Sequence, residues 1–366
     1  MPTSFIEPTL KFPDLVSSAE LDYFDEVIDV RSQAEFAEDH VPRALSHPVL
    51  DNDERALIGT LHKQASPFEA KRRGAVLVAR NIATHIERDF ASRGPDWRPL
   101  VYCWRGGKRS GAMTHMLRQI GWQAAQLDGG YKAYRREVVA QLETLPAQLR
   151  FVVICGETGS AKSRLLEALV TRDAQVLDLE LLANHRGSVL GGVPGSPQPQ
   201  QKMFETRIWD DLRRFDPLAP VFVESESKKV GQLQVPEALI RQMRAGECVR
   251  VAAPLSARVR FLLEEYRHFV ADRGALDARL DCLADLHGKE VIERWKALAE
   301  RGDEAFVADL LENHYDPAYR RSMGKNFPQL PEALELTPDD LTGTTLALLA
   351  DVVIDAFARS RAKLAV

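Results

Sequence analysis

The sequence predicts an α/β protein with two parallel-sheet domains followed by a C-terminal helical region. Up to residue 252, short apolar segments of strand length alternate with segments of helical periodicity, which is the order that builds parallel sheets. Two of the strands run into glycine-containing loops that open a helix, and beyond Pro254 the apolar residues recur at helical spacing. We therefore expect a first domain at 1–142, a second at 148–252 and a mainly helical region at 253–366.

The individual elements follow from this alternation. After a polar, loop-like stretch at 1–20, short apolar runs predict strands, and apolar positions at helical spacing predict helices. The predicted strands are 27–32, 100–102, 124–127, 150–155, 176–180, 220–229 and 248–251. The predicted helices are 53–62, 67–91, 111–120, 203–215, 278–300, 305–315 and 339–364, with one more after the loop at 156–163. Asp316-Pro317 is predicted to end the helix before it.

Composition and charge narrow the class of protein. Hydrophobic residues make up 45% and charged residues 28%, as in ordinary globular domains. The four cysteines are scattered without a Cys-x-x-Cys pair, which argues against a disulfide framework or a zinc site and favours a reducing compartment. With no basic leader and no apolar run of about 18 residues, we expect a cytoplasmic protein with no membrane span. The net charge of −5 means that nucleic acid would be bound through local basic patches. We expect a monomer.

The first glycine-containing loop carries a cysteine among cations. The strand at 100–102 runs into Cys103, and a helical pattern begins at Gly111. Between them lie Trp104, Arg105, Gly106, Gly107, Lys108, Arg109 and Ser110. Backbone amides, the helix N-terminus and the cations all favour a thiolate, so we interpret Cys103 as catalytic. The alternative is a buried thiol that packs as a small hydrophobic side chain.

Motifs on both sides of this loop resemble those of a known domain. They are Asp29-Val30-Arg31, Glu35-Phe36 and His40-Val41-Pro42 before the loop, and Gly121-Trp122 and Leu127-Asp128-Gly129-Gly130-Tyr131 after it. With these motifs, residues 10–140 resemble a rhodanese-like sulfurtransferase domain. The resemblance implies that Cys103 carries sulfur or selenium as a persulfide or perselenide. A phosphatase stays open, because Cys103, Arg109 and Ser110 also match the loop of cysteine phosphatases, in which the arginine clamps phosphate.

The second glycine-containing loop has the pattern of a P-loop. The strand at 150–155 runs into Gly-Glu-Thr-Gly-Ser-Ala-Lys-Ser at 156–163 and then into a helix. Gly156 and Gly159 would let the backbone approach phosphates, Lys162 would reach the terminal phosphate, and Ser163 could hold Mg²⁺. Ala161 stands where the motif has glycine, which argues against high-affinity nucleotide binding and hydrolysis. A plain strand–turn–helix connection is the alternative.

Other candidate functional residues lie between and beyond these loops. Glu224 and Glu226 end an apolar strand and are predicted to bind a metal or orient water, or else are merely solvated. A long Gly- and Pro-rich loop at 191–199 is predicted to be functional or mobile. Basic clusters are candidate RNA-phosphate contacts, or solvated helix faces, and comprise Arg241, Arg244, Arg250, Arg258, Arg260, Arg267, Arg320, Arg321 and Lys325.

The order of the two domains, the Cys103 loop and the segments 183–188 and 223–227 resemble the tRNA 2-selenouridine synthase family over essentially the whole chain. The resemblance implies a transferase that replaces the sulfur of 2-thiouridine at the tRNA wobble position with selenium from selenophosphate. It also implies an S-geranyl intermediate made with geranyl diphosphate, and therefore geranyltransferase activity. Its partners are then tRNA, selenophosphate and geranyl diphosphate.

The P-loop is our candidate for binding geranyl diphosphate, because a P-loop can hold pyrophosphate without hydrolysing a nucleotide. We expect no certain cofactor and no resident metal ligand set, with Mg²⁺ left open. The alternatives to the transferase are a phosphatase, an RNA-binding adaptor and a P-loop kinase with a regulatory rhodanese module.

Overall fold

The computed structural model describes residues 13–185, 197–265, 273–281 and 283–363. The chain forms two compact units, Met1–Gln141 with Glu205–Arg207, and Leu142–Phe204 with Ile208–Val366. Each unit contains a five-stranded parallel sheet, so the predicted α/β class is confirmed. Four features singled out in the sequence lie outside the described residues: 186–188, 191–196, Arg267 and Cys282.

The first sheet has the strand order β1-β5-β4-β2-β3. Its strands are β1 (Leu15–Val16), β2 (Glu26–Asp29), β3 (Ala44–Ser46), β4 (Pro99–Tyr102) and β5 (Ala125–Leu127). Its helices are α1 (Gln33–Glu38), α2 (Asn52–Gln64), α3 (Pro67–Arg88), α4 (Lys108–Ile120) and α5 (Gly130–Thr144). The stretch predicted as loop at 1–20 is not entirely loop. It contains β1, and a 3₁₀ turn at Ser18–Tyr23 begins within it.

Local sequence explains why the site-bearing elements form. All four residues of β4 are buried, as expected for the central strand of a sheet covered on both faces. The start of α3 has Pro67 at its first position and Ser66 Oγ accepting a hydrogen bond from Glu69 N, which satisfies one free amide. In the sheet register Asp29 lies opposite Tyr102, so β2 and β4 end side by side.

The second sheet has the order β12-β11-β6-β8-β7. Its strands are β6 (Arg150–Cys155), β7 (Gln175–Leu177), β8 (Pro220–Glu224), β11 (Glu247–Val251) and β12 (Leu334–Leu336), and β9 (Lys229–Val230) pairs with β10 (Leu233–Gln234) in a separate hairpin. The helices from β6 to the start of the C-terminal region are α6 (Lys162–Val170), α7 (Leu179–Leu182), α8 (Gln201–Leu212), α9 (Glu237–Ala245) and α10 (Leu255–Glu265). A short 3₁₀ turn at Leu145–Gln148 precedes β6.

The C-terminal region is mainly helical, as predicted, with one strand. Its helices are α11 (Arg273–Asp281), α12 (Ala284–His287), α13 (Lys289–Arg301), α14 (Asp303–Leu310), α15 (Asp316–Asn326) and α16 (Gly343–Lys363). The region also supplies β12 to the sheet. Leu346, Val353 and Phe357 of α16 lie in the same buried cluster as Leu165 of α6.

Several element predictions for this unit were wrong. The strand predicted at 220–229 ends at Glu224, and the segment predicted as one helix at 278–300 falls in α11, α12 and α13. The helix does not end at Asp316-Pro317: a π-helical turn at Leu311–Tyr315 leads directly into α15, where Pro317 lies in the first turn and needs no amide bond. The strand predicted at 176–180 ends at Leu177, because Asp178 caps α7 by accepting a hydrogen bond from Leu181 N at 2.8 Å. In the part of the chain that the structure describes, no helix is long and apolar enough to cross a membrane.

Candidate active sites

The thiol of Cys103 lies at the end of β4, with only 4% of the residue exposed. Its Sγ accepts hydrogen bonds from Ser110 Oγ at 3.1 Å and from Gly107 N at 3.3 Å. Burial acts to raise the pKa of this thiol, but the hydrogen bonds from Ser110 and from loop amides outweigh burial and hold the pKa below its usual value. The geometry therefore favours the thiolate, the form that acts as a nucleophile.

The cations of this loop contribute less to stabilising the Cys103 thiolate than the sequence suggested. Helix α4 begins at Lys108 rather than at Gly111, so Lys108 and Arg109 lie in its first turn. Arg109 donates to Glu35 Oε2 at 3.1 Å, which neutralises much of its charge. The side chains of Arg105 and Lys108 are exposed. Hydrogen bonds, rather than these three cations, lower the pKa of the thiol.

The Gly-Gly-Tyr motif after β5 has a packing role next to the loop. Gly106 has φ +60, and a Cβ there would lie 2.7 Å from Leu127 O and 2.9 Å from Gly130 N. Two backbone hydrogen bonds join the start of α5 to the loop: Tyr131 N donates to Cys103 O, and Lys132 N donates to Trp104 O, both at 2.9 Å. The ring of Trp104 lies 5.3 Å from that of Tyr131. The start of α5 thus holds the Cys103 loop in place.

The Asp-Val-Arg motif forms a buried polar network rather than part of the reacting centre. Arg31 donates to both carboxylate oxygens of Asp29 and also to Asp39 O at 2.6 Å. Tyr102 donates to Asp29 Oδ2 at 2.6 Å, and Tyr131 to Asp39 Oδ2 at 2.8 Å. Because Asp29 and Arg31 are paired and hydrogen-bonded, the burial of their charges is tolerated. The network joins the strand before Cys103 to the helix after β5.

The predicted P-loop at 156–163 leads from β6 into the first turn of α6, and the name P-loop refers to its sequence pattern. Lys162 Nζ donates to Gly156 O at 3.1 Å, so the lysine folds back over the loop. Ala161 has φ +57, a left-handed conformation that costs a residue with a Cβ about 1–2 kcal/mol and that glycine adopts freely. Gly159 also has a positive φ, and a Cβ there would lie 2.9 Å from Leu262. The loop therefore has left-handed backbone at both Gly159 and Ala161.

Three carboxylates gather beside this loop. Glu180, Glu224 and Glu226 each offer an oxygen within 4.8 Å of the others, and Ser163 Oγ donates to Glu180 Oε2 at 3.2 Å. Burial, followed by repulsion from Glu224 and Glu226, raises the pKa of Glu180 to about 9. Burial and the charge of Glu224 raise the pKa of Glu226 to about 7. Glu180 was missed in the sequence, although it follows a strand whose carboxyl end lies next to that of β8.

The donor set of this cluster fits a hard divalent cation. Carboxylate and hydroxyl oxygens are the ligands that Mg²⁺ prefers. The side chain of Glu224 is 4% exposed, and its Oε1 has no hydrogen-bond partner among the residues described. A cation would satisfy that oxygen and relieve the repulsion between the carboxylates. Such a cation would be held by Ser163 and the three glutamates.

A cavity of about 940 Å³ opens over the P-loop. One side is polar and includes Lys162, Ser163 and the three carboxylates. The other side comes from α10, the π-helical turn and α15 with the residue after it, and includes Phe261, Leu262, Tyr315, Ala318, Tyr319, Met323 and Phe327. The site therefore offers an anion-binding end and an apolar wall.

One residue of the predicted basic clusters has a structural role instead. Arg258 is buried and donates to Asp316 Oδ1 and Oδ2, both at 2.8 Å, and to Thr158 O at 3.1 Å. It thus ties the P-loop to α15, so its interpretation as an RNA-phosphate contact was wrong. Arg320 donates to Glu157 Oε1 at 2.9 Å while remaining exposed.

The fold defines the class of protein: a rhodanese-like domain with a buried cysteine at the end of its central strand, followed by a second parallel-sheet α/β domain. Family models agree, since the rhodanese-like domain model matches residues 14–137, and the model of the tRNA 2-selenouridine synthase AAA domain matches residues 149–279. The chain belongs to the tRNA 2-selenouridine synthase family.

Two named relatives support this assignment. The chain is 34% identical to a tRNA 2-selenouridine synthase of Cronobacter sakazakii, over 83% of this chain and 88% of that protein. It is 35% identical to one of Nitrosomonas europaea, where the match spans 66% of this chain and 63% of the relative. A crystal structure of a rhodanese-related protein from Thermoplasma volcanium matches 34% of this chain and 93% of its own, at 16% identity and a TM-score of 0.23.

Proposed function

We propose that this protein replaces the sulfur of 2-thiouridine at the tRNA wobble position with selenium from selenophosphate, through an S-geranyl intermediate made with geranyl diphosphate. The observation that carries the proposal is the presence of two different anion-binding loops in one chain. One holds a thiol stabilised as thiolate, and the other holds a lysine beside a cluster of acids. A two-step reaction with two phosphorus-containing substrates needs both.

The first step belongs to the P-loop. The uridine sulfur attacks C1 of geranyl diphosphate, the C–O bond breaks, and its electrons leave with pyrophosphate, while the N3 proton of the base passes to solvent. Lys162 and the loop amides are positioned for an anion whose charge grows as the bond breaks, which is where fixed charge accelerates a reaction most. Mg²⁺, if bound by the acid cluster, would supply further positive charge at the diphosphate.

The second step belongs to the Cys103 loop. Selenium bonds to C2 of the uridine, the C2–S bond breaks, and geranylthiol leaves. The Se–P bond of selenophosphate also breaks, and its phosphoryl group is transferred to water and released as phosphate. Alkylation in the first step makes the sulfur a good leaving group. We assign Cys103 the handling of selenium, supported by its lowered pKa and by the amide and hydroxyl donors around Sγ.

The experiment is mass analysis of nucleosides from 2-thiouridine-containing tRNA incubated with the purified protein. With geranyl diphosphate alone the product should be S-geranyl-2-thiouridine, and with selenophosphate added it should be 2-selenouridine. A strain that lacks the protein should lose 2-selenouridine. Hydrolysis of a generic aryl phosphate without either tRNA product would establish a phosphatase instead, and binding of tRNA without either product would establish an adaptor. We expect tRNA as the partner in the cytoplasm, with the protein acting as a monomer.

A further inference from the structure

The apolar wall of the P-loop cavity has no part in binding phosphate. Phe261 and Leu262 extend into it from α10, and Leu262 also contacts the P-loop at Gly159. On the other helix, four lining residues recur at every fourth position: Tyr315, Tyr319, Met323 and Phe327. Residues at this spacing lie close to one face of a helix. These four side chains form a largely apolar stripe that borders the cavity beside the polar side chains of His314 and Ser322.

The second member of the stripe is held at the P-loop. Gly156 N donates to Tyr319 Oη at 2.6 Å, which fixes Tyr319 at the P-loop. Met323 and Phe327 follow one and two turns later, roughly 6 and 12 Å farther along the helix axis. The stripe begins in the π-helical turn Leu311–Tyr315, a rare conformation that is frequent at functional sites.

We propose that this wall binds the hydrocarbon chain of the allylic diphosphate donor, and that Met323 and Phe327 set the chain length it accepts. The inference rests on the proposed function, because it takes the donor's diphosphate to lie at Lys162. Phe261 and Leu262 are half-buried and, like Met323 beside them, carry no hydrogen-bond donor, so they suit a hydrocarbon. A ligand with a charged head and an apolar tail matches both ends of the cavity.

The test separates head from tail by comparing two probes on the full-length protein without RNA: geranyl diphosphate and inorganic pyrophosphate, by calorimetry. Each buried methylene contributes about fourfold in affinity, so geranyl diphosphate should bind at least about 100-fold more tightly than pyrophosphate. Ala318 is exposed and lines the cavity, so tryptophan there fills space without disturbing the core. Ala318→Trp should weaken the affinity for geranyl diphosphate at least about tenfold, while the affinity for pyrophosphate should change less than about twofold.

A matched control and a second variant sharpen the assignment. Glu304 is exposed on α14 and outside the cavity lining, so Glu304→Trp should change neither affinity. Phe327→Ala should raise the ratio of kcat/KM for farnesyl over geranyl diphosphate about fivefold or more, because it lengthens the space for the chain. A variant that is merely destabilised would lose kcat/KM for both substrates to the same extent, so the ratio would not change.

Two results would overturn the inference. In one, Ala318→Trp leaves geranyl diphosphate binding unchanged or weakens pyrophosphate equally. In the other, ATP binds more tightly than geranyl diphosphate and is lost in Ala318→Trp, which would assign the wall to a nucleoside. RNA geranylation that is active but insensitive to Ala318→Trp contradicts this inference and leaves the proposed function standing. Selective binding of geranyl diphosphate without RNA geranylation supports the chain site and overturns the proposed function.

Discussion

The two glycine-containing loops share a backbone plan and differ in what lies beside them. Both leave the carboxyl end of a buried parallel strand and enter a helix. Next to Cys103, β2 ends in Asp29, whose charge is fully paired by Arg31. Next to the P-loop, β8 ends in Glu224, whose carboxylate has an oxygen with no partner among the described residues. The two sites therefore differ in the charge at the neighbouring strand end as well as in the side chains of the loops themselves.

The largest expected effect is at Cys103. Cys103→Ser should abolish formation of 2-selenouridine and leave geranylation of 2-thiouridine intact, because geranylation uses only the tRNA sulfur as nucleophile. Nucleoside mass analysis after incubation with both substrates should show S-geranyl-2-thiouridine accumulating. Cys248→Ser is the matched control, since that thiol is also buried but lies in β11. Selenouridine made by Cys103→Ser at the wild-type rate would remove the cysteine from the reaction.

The corresponding change in the other loop is Lys162→Ala. We expect it to raise the activation free energy of geranylation by several kcal/mol, which slows the reaction about 100-fold or more. The reason is that the lysine stabilises charge that grows on the departing pyrophosphate. The rate with geranyl diphosphate and 2-thiouridine RNA measures it. Lys228→Ala, in an exposed ion pair, serves as control. Geranylation at the normal rate would detach the P-loop from the diphosphate.

The acid cluster makes stability depend on pH in an unusual direction. Folding raises the pKa of Glu226 to about 7 and of Glu180 to about 9, so the folded state binds more protons than the unfolded state above the usual carboxyl pKa. Stability should therefore fall as pH rises from about 5 towards 9. Thermal unfolding at the two ends of this range measures the effect, and Mg²⁺ should reduce it at high pH.

Glu224→Gln removes one charge from the cluster and should flatten this pH dependence, whereas Glu332→Gln at an exposed site should not. A melting temperature that rises with pH in the wild-type protein would contradict the account of the cluster.

A smaller effect is expected at the hydroxyl that donates to the thiol. Ser110→Ala removes one hydrogen bond to Cys103 Sγ and should raise the pKa of the thiol, because that bond stabilises the thiolate. The measurement is the pH dependence of Cys103 alkylation by iodoacetamide, resolved by peptide mass spectrometry. Ser163→Ala, in the corresponding part of the other loop, should leave that profile unchanged. An unshifted midpoint in Ser110→Ala would assign the lowered pKa to the backbone amides alone.

Much of the fold could be predicted because local patterns and tertiary structure agree. The helix at 67–91 has apolar periodicity, a capping serine and proline at its start, and the structure places it at Pro67–Arg88. The strand at 150–155 was predicted with its observed limits. β12 was missed because Leu334–Leu336 is short and stable only beside β11. The break predicted at Pro317 was wrong because a π-helical turn carries the helix to that proline.

Within the sites, the sequence located residues but not their partners. The positions of Cys103 and Lys162 in strand–loop–helix segments could be predicted from glycine spacing and apolar runs. That Glu35 pairs with Arg109, or that Glu180 joins Glu224, depends on contacts between segments far apart in the chain. Likewise, the four-residue spacing from Tyr315 to Phe327 was visible in the sequence, but the cavity it faces was not.

The most direct test of the division of labour between the two loops uses RNA that already carries S-geranyl-2-thiouridine. Given selenophosphate, Lys162→Ala should convert this RNA to 2-selenouridine at close to the wild-type rate, because the pyrophosphate step has been bypassed. Cys103→Ser should fail to convert it. The opposite pattern, with Lys162→Ala inactive and Cys103→Ser active on the geranylated RNA, would contradict the assignment of one step to each loop.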